Sequence, residues 1–487
     1  MAASSRDNSY RNILKGTSVF GGVQAFQILI NLVRGKFVAL ILGPAGMGVS
    51  SLFNVASTTV QQFASLGLNL SIVKEVASIK DDSLKLSTVF SVARTLVLMS
   101  AIAGAIFCAL FSSILSVWTF GNGDYWPDFM LVGCVVFFAI LGGGELSLLQ
   151  GLHAVKRLSR ASVVGASVGL CVGVPLYYFY GTDGIVPAML ALSLSMYLFY
   201  RYSVKKTCHV TYVKVQWRKH HPIVKGLVSL GLVMMVSSLF GTLCTYLLNL
   251  FIRVTGTMDD VGFYQAANSI TAQYSGLVFA AMSLDYFPRL SAVADDNAMV
   301  RKLVNRQTEL VSWVLTPLVI LLFIVAPVVV TILLSRDFAT IVPLVRWMGL
   351  GVLIKALSYP MGYIAFAKGD KRLFFWLEGV AGNLLFLGLG CVFFNVCGII
   401  GLGVSMTVSA AVAYVAYMFI TYCRYSCYMS RGVTINAVVA LLLAGGAFVV
   451  TIISDDVWVM VLDSLLFAVS VTVSFLNLKR KWRVNDL

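Results

Sequence analysis

The chain has 487 residues, 59% of them hydrophobic and only 12% charged, with a net charge of +15. A soluble domain carries about twice that charged fraction, so a water-soluble globular protein is excluded. The basic excess does not point to nucleic acid, because Lys and Arg cluster in short loops between apolar runs while alternate loops are almost empty of them. That alternation sets the orientation of a membrane protein. In lipid the backbone must satisfy its own polar groups, which leaves helices or a closed barrel. Barrel strands alternate polar and apolar residues, whereas stretches such as 96–110 and 437–453 are apolar on every side. The chain reads as an all-α polytopic membrane protein.

In chain order, about fourteen spans are expected near 13–42, 48–70, 86–116, 129–151, 161–180, 185–201, 223–253, 262–286, 303–334, 341–366, 374–394, 399–421, 434–453 and 457–477. The first apolar run is long and no small-residue cleavage site follows it, so no cleaved signal is expected. One set of connectors holds Lys74, Lys80 and Lys85, then Lys156, Arg157 and Arg160, then 201–221. It continues with Arg289, Arg301 and Lys302, then Lys368, Lys371 and Arg372, then Arg424 and Arg431, and ends in the 478–487 tail. The opposite set is acidic, with Asp124, Asp128, Asp183, Asp259, Asp260, Asp337, Asp455 and Asp456 against one clear base, Arg336. The imbalance predicts an even number of spans with both termini on the cytoplasmic side.

The sequence restarts after the sixth span. Ile13-Leu14-Lys15-Gly16 is echoed by Ile223-Val224-Lys225-Gly226, Gly48 and Asn54 by Gly262 and Asn268, and Phe63-Ala64 by Phe279-Ala280. The expected organisation is therefore a six-helix lobe over 1–201, a basic loop over 202–222 and a second six-helix lobe over 223–421. An added helix pair over 434–477 and a basic tail follow. Two repeats that start on the same side are parallel, related by an axis along the membrane normal.

Ionisable groups inside the spans carry the functional signal, because a charge at bilayer depth is costly and faces a cavity or a partner. The bases are Arg34 and Lys36 in span one, Arg94 in span three, Arg253 ending span seven, and Arg346 and Lys355 in span ten. The acids are Glu145 in span four and Glu378 in span eleven; Asp285 and Glu309 lie near boundaries and are discounted. Plainer readings exist for each: Arg34, Lys36, Arg94, Arg253 and Arg346 could snorkel to the headgroups, and Glu145 and Lys355, both read as deep, could form a structural ion pair. The preferred reading places them on a central cavity whose basic excess suits an acidic or phosphate-bearing substrate, since the guanidinium fork matches phosphate oxygens.

Other motifs carry less. Gly142-Gly143-Gly144 lacks the strand and Lys-Ser of a phosphate loop and reads as close helix packing or a kink. Pro175, Pro317, Pro327 and Pro360 can kink their spans. The nine Cys suggest unmodified thiols, and His153, His209, His220 and His221 fall in loops. With no nucleophile–base pair and no nucleotide-binding loop, neither an enzyme nor a cofactor or metal is expected.

Leu14-Lys15-Gly16-Thr17-Ser18, Gly21-Gly22-Val23-Gln24, Arg34-Gly35-Lys36-Phe37 and Leu42-Gly43-Pro44-Ala45-Gly46-Met47-Gly48 resemble the opening of O-antigen translocases. So do Leu66-Gly67-Leu68 and Val73-Lys74-Glu75-Val76-Ala77. These polysaccharide flippases share a superfamily with multidrug (MATE) exporters and the lipid II flippase. The resemblance implies two six-helix lobes in a V that alternates access across a bacterial inner membrane. It implies an undecaprenyl-diphosphate-linked oligosaccharide substrate, a cationic cavity, and a polysaccharide polymerase and glycosyltransferases as partners. The motif covers Arg34 and Lys36 directly. On this reading Arg34, Arg94 and Arg253 hold the phosphates, and Glu145 carries the H+ or Na+ that drives transport. A lipid II-type flippase or a drug or metabolite antiporter of the same fold is the alternative.

Overall fold

The computed structural model describes residues 2–79, 83–208, 217–453 and 457–485, with most side chains from Phe26 onward. The middle of the basic loop, 209–216, and Asp455 and Asp456 lie outside the described residues, as does the side chain of Glu378. All regular structure among the described residues is helical, as the apolar runs require. In order the helices are α1 (Ala2–Ala64), α2 (Leu68–Ile79), α3 (Ser83–Leu110), α4 (Ser112–Phe120) and α5 (Trp126–Gly151). Then come α6 (Val155–Tyr180), α7 (Ile185–Thr207), α8 (Trp217–Thr255), α9 (Met258–Ala292), α10 (Asn297–Leu333) and α11 (Val342–Ala367). The last are α12 (Lys371–Phe374), α13 (Gly382–Tyr425), α14 (Arg431–Ile453) and α15 (Val457–Asn485).

Among the described residues, nine helical stretches are long and apolar enough to cross a membrane. Two of them, Val155–Thr207 and Arg372–Tyr425, run to 53 and 54 residues, enough for two passes each at about 20 residues per pass. The first is interrupted by the tight turn Gly181–Gly184 and the second by Gly398, whose φ is 60°. A similar break divides α1: Gly43 takes φ 67°, ψ −169°, and Pro44 follows. Glycine supplies the left-handed backbone and proline starts the next helical turn, where its missing N–H costs nothing. The Gly-Pro-Ala-Gly motif is thus a helix-breaking corner. A π-helical turn, Phe375–Ala381, carries Glu378 between α12 and α13.

The chain divides into two compact units, one up to Val254 and the other from Thr255. In the first, hydrocarbon gives little net reward for apolar contact, so helices associate through small residues that let backbones approach. Gly165, Gly169 and Gly173 form such a row on α6, where added Cβ atoms would meet Met196, Leu192 and Ala188 of α7. Between α1 and α2, Leu66 and Gly67 both adopt positive φ. A Cβ on Gly67 would drive into the carbonyl of Gly231 on α8, and one on Gly231 would drive into that of Leu66. Gly67→Ala should therefore lower the melting temperature of the detergent-solubilised protein, through backbone strain and overpacking together costing about 1–3 kcal/mol. Gly226→Ala, on the same α8 with nothing within 4 Å of the added atom, is the control. Equal melting temperatures for the two variants would refute the contact.

The second unit packs α10, α11, α14 and α15 around Leu315, Val319, Phe323, Leu353, Ala356 and Ala447. Its α9 opens with a reciprocal cap in which the Thr257 hydroxyl accepts from the Asp260 N–H while the Asp260 carboxylate accepts from the Thr257 N–H. Towards the other end, Tyr286 of α9 donates to the Pro360 carbonyl of α11 at 2.7 Å.

Candidate functional site

The charged side chains singled out by the sequence separate into three environments. Arg94, Glu145 and Arg201 come together in the first unit. Arg94 grips the Glu145 carboxylate with a fork, Nε donating to Oε1 at 3.0 Å and Nη2 to Oε2 at 2.9 Å. Arg201 adds Nη1 to Oε1 at 2.6 Å. The carboxylate is 5% exposed, while the arginine side chains are 28% and 36% exposed. The neighbouring glycine makes this geometry possible: a Cβ on Gly144 would lie 2.7 Å from Val97, so α5 closes on α3 beside the ion pair. Of the two roles expected for the glycine run, packing or a kink, Gly144 takes the first. The Phe90 ring, one turn before Arg94, lies 5.8 Å from its guanidinium carbon and supports it from below.

This triad lines a cavity of about 260 Å³ whose other walls include Ile72, Val97, Leu98, Leu148 and Tyr197. Two guanidinium groups carry about ten N–H donors between them, and Glu145 takes only three. The triad's net charge is one positive, from two arginines and one carboxylate. Among the described residues no other partner takes the remaining donors, and the cavity is where a ligand would meet them. A volume below the roughly 300–1,000 Å³ of a drug-sized pocket suits a compact anionic headgroup.

Two expectations need correction. Glu145 is not near the middle of its helix. It lies six residues before the end of α5, about 9 Å at 1.5 Å per residue, on the side of the Lys156–Arg160 connector. Its partners are Arg94 and Arg201, so the pairing considered with Lys355 is not what holds it. Arg201 was read as the start of a basic loop. The helix instead continues to Thr207, which carries Arg201 about 9 Å inside its end and onto the cavity.

Arg34, Lys36, Arg253 and Lys355 have no hydrogen-bonded or ion-paired side-chain partner among the described residues. Arg34 is half-buried and lines a small cavity with Asn31, Gly169, Gly173 and Tyr177. Lys36, two residues on, is half-buried as well. Arg253 lays its guanidinium against Gly121, the left-handed residue ending α4, where a cation complements the helix's negative end; its Nε is buried without an acceptor. Lys355 sits mid-way along α11 with its side chain exposed.

Arg346 and Glu309 belong to a third environment. Arg346 is 6% exposed, and its Nε donates to the Phe323 carbonyl at 3.3 Å while Nη1 donates to Thr451 at 2.7 Å. Phe323 lies four residues before Pro327, whose missing N–H leaves that carbonyl without its helical partner. Thr451 lies in the last turn of α14, where carbonyls have none. Arg346 thus fills two vacancies in the backbone, which explains its burial without a substrate. Glu309, discounted as a boundary residue, is 8% exposed and accepts from Asn436 of α14 at 2.8 Å.

Residues 37–343 match the polysaccharide biosynthesis protein family. The chain belongs to that family. The lipid III flippase of Escherichia coli (strain K12) is 24% identical over 353 residues, 71% of this chain and 83% of that protein. A putative O-antigen transporter of Shigella flexneri is 22% identical over 322 residues, 64% and 75% of the two chains. The solved structure of the lipid II flippase MurJ in an inward closed conformation superposes with a TM-score of 0.70 at 12% identity, covering 96% of this chain and 99% of that one. The resemblance read from the opening residues is borne out at the level of the family and the fold, and the chain is a multi-pass membrane transporter of polysaccharide biosynthesis.

Proposed function

We propose that the chain flips an undecaprenyl-diphosphate-linked oligosaccharide from the inner to the outer leaflet of a bacterial inner membrane by alternating access. The observation that carries this reading is the Arg94–Glu145–Arg201 triad, a net cationic group on a membrane cavity with most of its donors turned away from the carboxylate. A diphosphate offers several oxygens at the spacing of guanidinium forks, and the names of the two relatives support a lipid-linked glycan as its carrier. Arg94 and Arg201 receive the headgroup and Glu145 holds both arginines in place before it arrives. Arg34, Lys36 and Arg253 of the first unit and Lys355 of the second add cationic groups for the substrate, and Arg346 keeps α10 and α14 together rather than touching substrate. Both termini face the cytoplasm, and the two six-helix lobes with their added pair follow the parallel-repeat organisation. A cation-drug antiporter of the same fold is disfavoured by a site whose charge is positive.

The test is complementation in a strain lacking its own translocase for a surface glycan. The full-length chain should restore surface polysaccharide. Arg94→Ala, Arg34→Ala and Lys355→Ala should each lower it at least about tenfold, on the order of one lost charge-assisted contact, with unchanged protein in the membrane. Normal surface glycan in all three variants would overturn the reading.

A further inference from the structure

The last helix is polar on its protected side and apolar where it is exposed. Leu462, Leu465, Val469, Phe475 and Leu476 of α15 are 48–62% exposed, whereas Asp463, Ser470 and Ser474 are 2%, 1% and 6% exposed. At 100° per residue these three polar positions fall within about 40° of one another, and Asn477 continues the same face. From Asp463 to Asn477 this face runs about 21 Å at 1.5 Å per residue, against about 30 Å of hydrocarbon.

Three polar atoms on it have no hydrogen-bond partner among the described residues. Asp463 Oδ1, Ser470 Oγ and Ser474 Oγ are buried without a hydrogen-bond partner, and so are Thr308 Oγ1 and Trp313 Nε1 on α10, which packs along α15. Five of the eight such atoms among the described residues therefore fall on this one pair of helices. A buried polar atom left unpaired costs about 1–3 kcal/mol, and a buried carboxylate far more unless it is neutralised or paired. The expense is concentrated where an ionisable group would need a route through the membrane.

Among the described residues, the charged surroundings of Asp463 are sparse. Arg346 on α11 lies within its electrostatic reach. On α14 the one charged residue is Arg431, at the far end of the helix. On α10 the acid is Glu309, bonded to Asn436. No cluster of three or more His, Cys, Asp or Glu that could hold a metal ion occurs among the described residues. A proton is the ligand that a single carboxyl oxygen in so tight a setting accommodates.

We propose that Asp463 is a proton-binding site, served by the hydroxyl face of α10 and α15, and that its occupancy is read by Arg346. A proton added to Oδ1 removes the negative charge that lies within the field of Arg346. The guanidinium keeps its bonds to the carbonyls of Phe323, four residues before Pro327, and Thr451. Protonation thereby alters how firmly α10 is held to α14 in the turn before Pro327. Glu145, already held by two arginines, is not needed as the proton carrier. The inference does not depend on the chemistry assigned to the Arg94–Glu145–Arg201 cavity.

The experiment uses purified full-length protein in lightly buffered detergent. Proton release is followed as the pH is raised from about 5 to about 9, with Asp463→Asn compared to the parent. The parent should release about one more proton per chain than Asp463→Asn. Dicyclohexylcarbodiimide, which attacks protonated carboxyl groups in apolar surroundings, should modify Asp463 of the parent more at low pH than at high. Equal proton release, or a carbodiimide reaction absent at every pH, would overturn the site. If Asp463→Asn does not fold, the carbodiimide arm on the parent decides. Protection of Asp463 by Na+ at fixed pH would also overturn it, in favour of a sodium site.

Discussion

Arg201→Ala should weaken binding of an undecaprenyl diphosphate probe by about 10- to 150-fold, and Glu145→Gln should tighten it. The first figure follows from losing charge-assisted hydrogen bonds worth about 1.5–3 kcal/mol, at about 1.4 kcal/mol per factor of ten. The second follows from electrostatics: without the carboxylate charge, the triad's net charge rises from one positive to two. Arg201 is a cleaner probe than Arg94, because its removal leaves Glu145 still held by the Arg94 fork. The buried carboxylate is not orphaned, so the fold is not put at risk. Arg201→Lys should recover only part of the affinity, since an ammonium is a point charge without the planar fork. Binding is read by calorimetry on the solubilised protein. Unchanged affinity in Arg201→Ala would separate the triad from the substrate.

Arg346→Leu should destabilise the second unit by about 2–6 kcal/mol, the cost of two buried carbonyls left without donors at about 1–3 kcal/mol each. The proline supplies an internal check. In a Pro327→Ala background, residue 327 regains an N–H for the Phe323 carbonyl. The same Arg346→Leu change should then cost about 1–3 kcal/mol less, a coupling that a double-mutant cycle isolates. Thermal melts in detergent measure all four forms. Lys355→Leu, at an exposed position, should leave the midpoint unchanged. Additive effects of Arg346→Leu and Pro327→Ala would refute the carbonyl account.

The membrane class and the helical architecture were legible because they depend on local composition. Twenty apolar residues make a span wherever they occur, and Gly43-Pro44 makes a corner whatever surrounds it. Individual charges were legible too, and Arg94 and Glu145 stood out by being inside apolar sequence. What could not be read was pairing. Arg94 and Glu145 are 51 residues apart on different helices, and nothing in either neighbourhood names the other. Arg201 was hidden because the apolar run ends there while the helix continues six residues further, and hydropathy does not see helical backbone. Arg346 and Pro327 were both noted, one as a site cation and one as a kink, but that the first repairs the second is a tertiary fact. Asp463, a single acid near the start of an otherwise apolar span, was passed over. Its burial depends on which way α15 turns its faces against α10 and α14.

The grip of α14 on Glu309 and Arg346 bears on biogenesis. These two residues leave the ribosome on α10 and α11, roughly a hundred residues before Asn436 and Thr451 exist to receive them. Until α14 follows, a nascent chain carries an acid and a base into the bilayer without those partners. Insertion of the middle of this protein is therefore finished by its end. A premature stop before α14 would deny Glu309 its bond from Asn436 and Arg346 its bond to Thr451, and quality control would meet it as a misinserted protein rather than a shortened transporter.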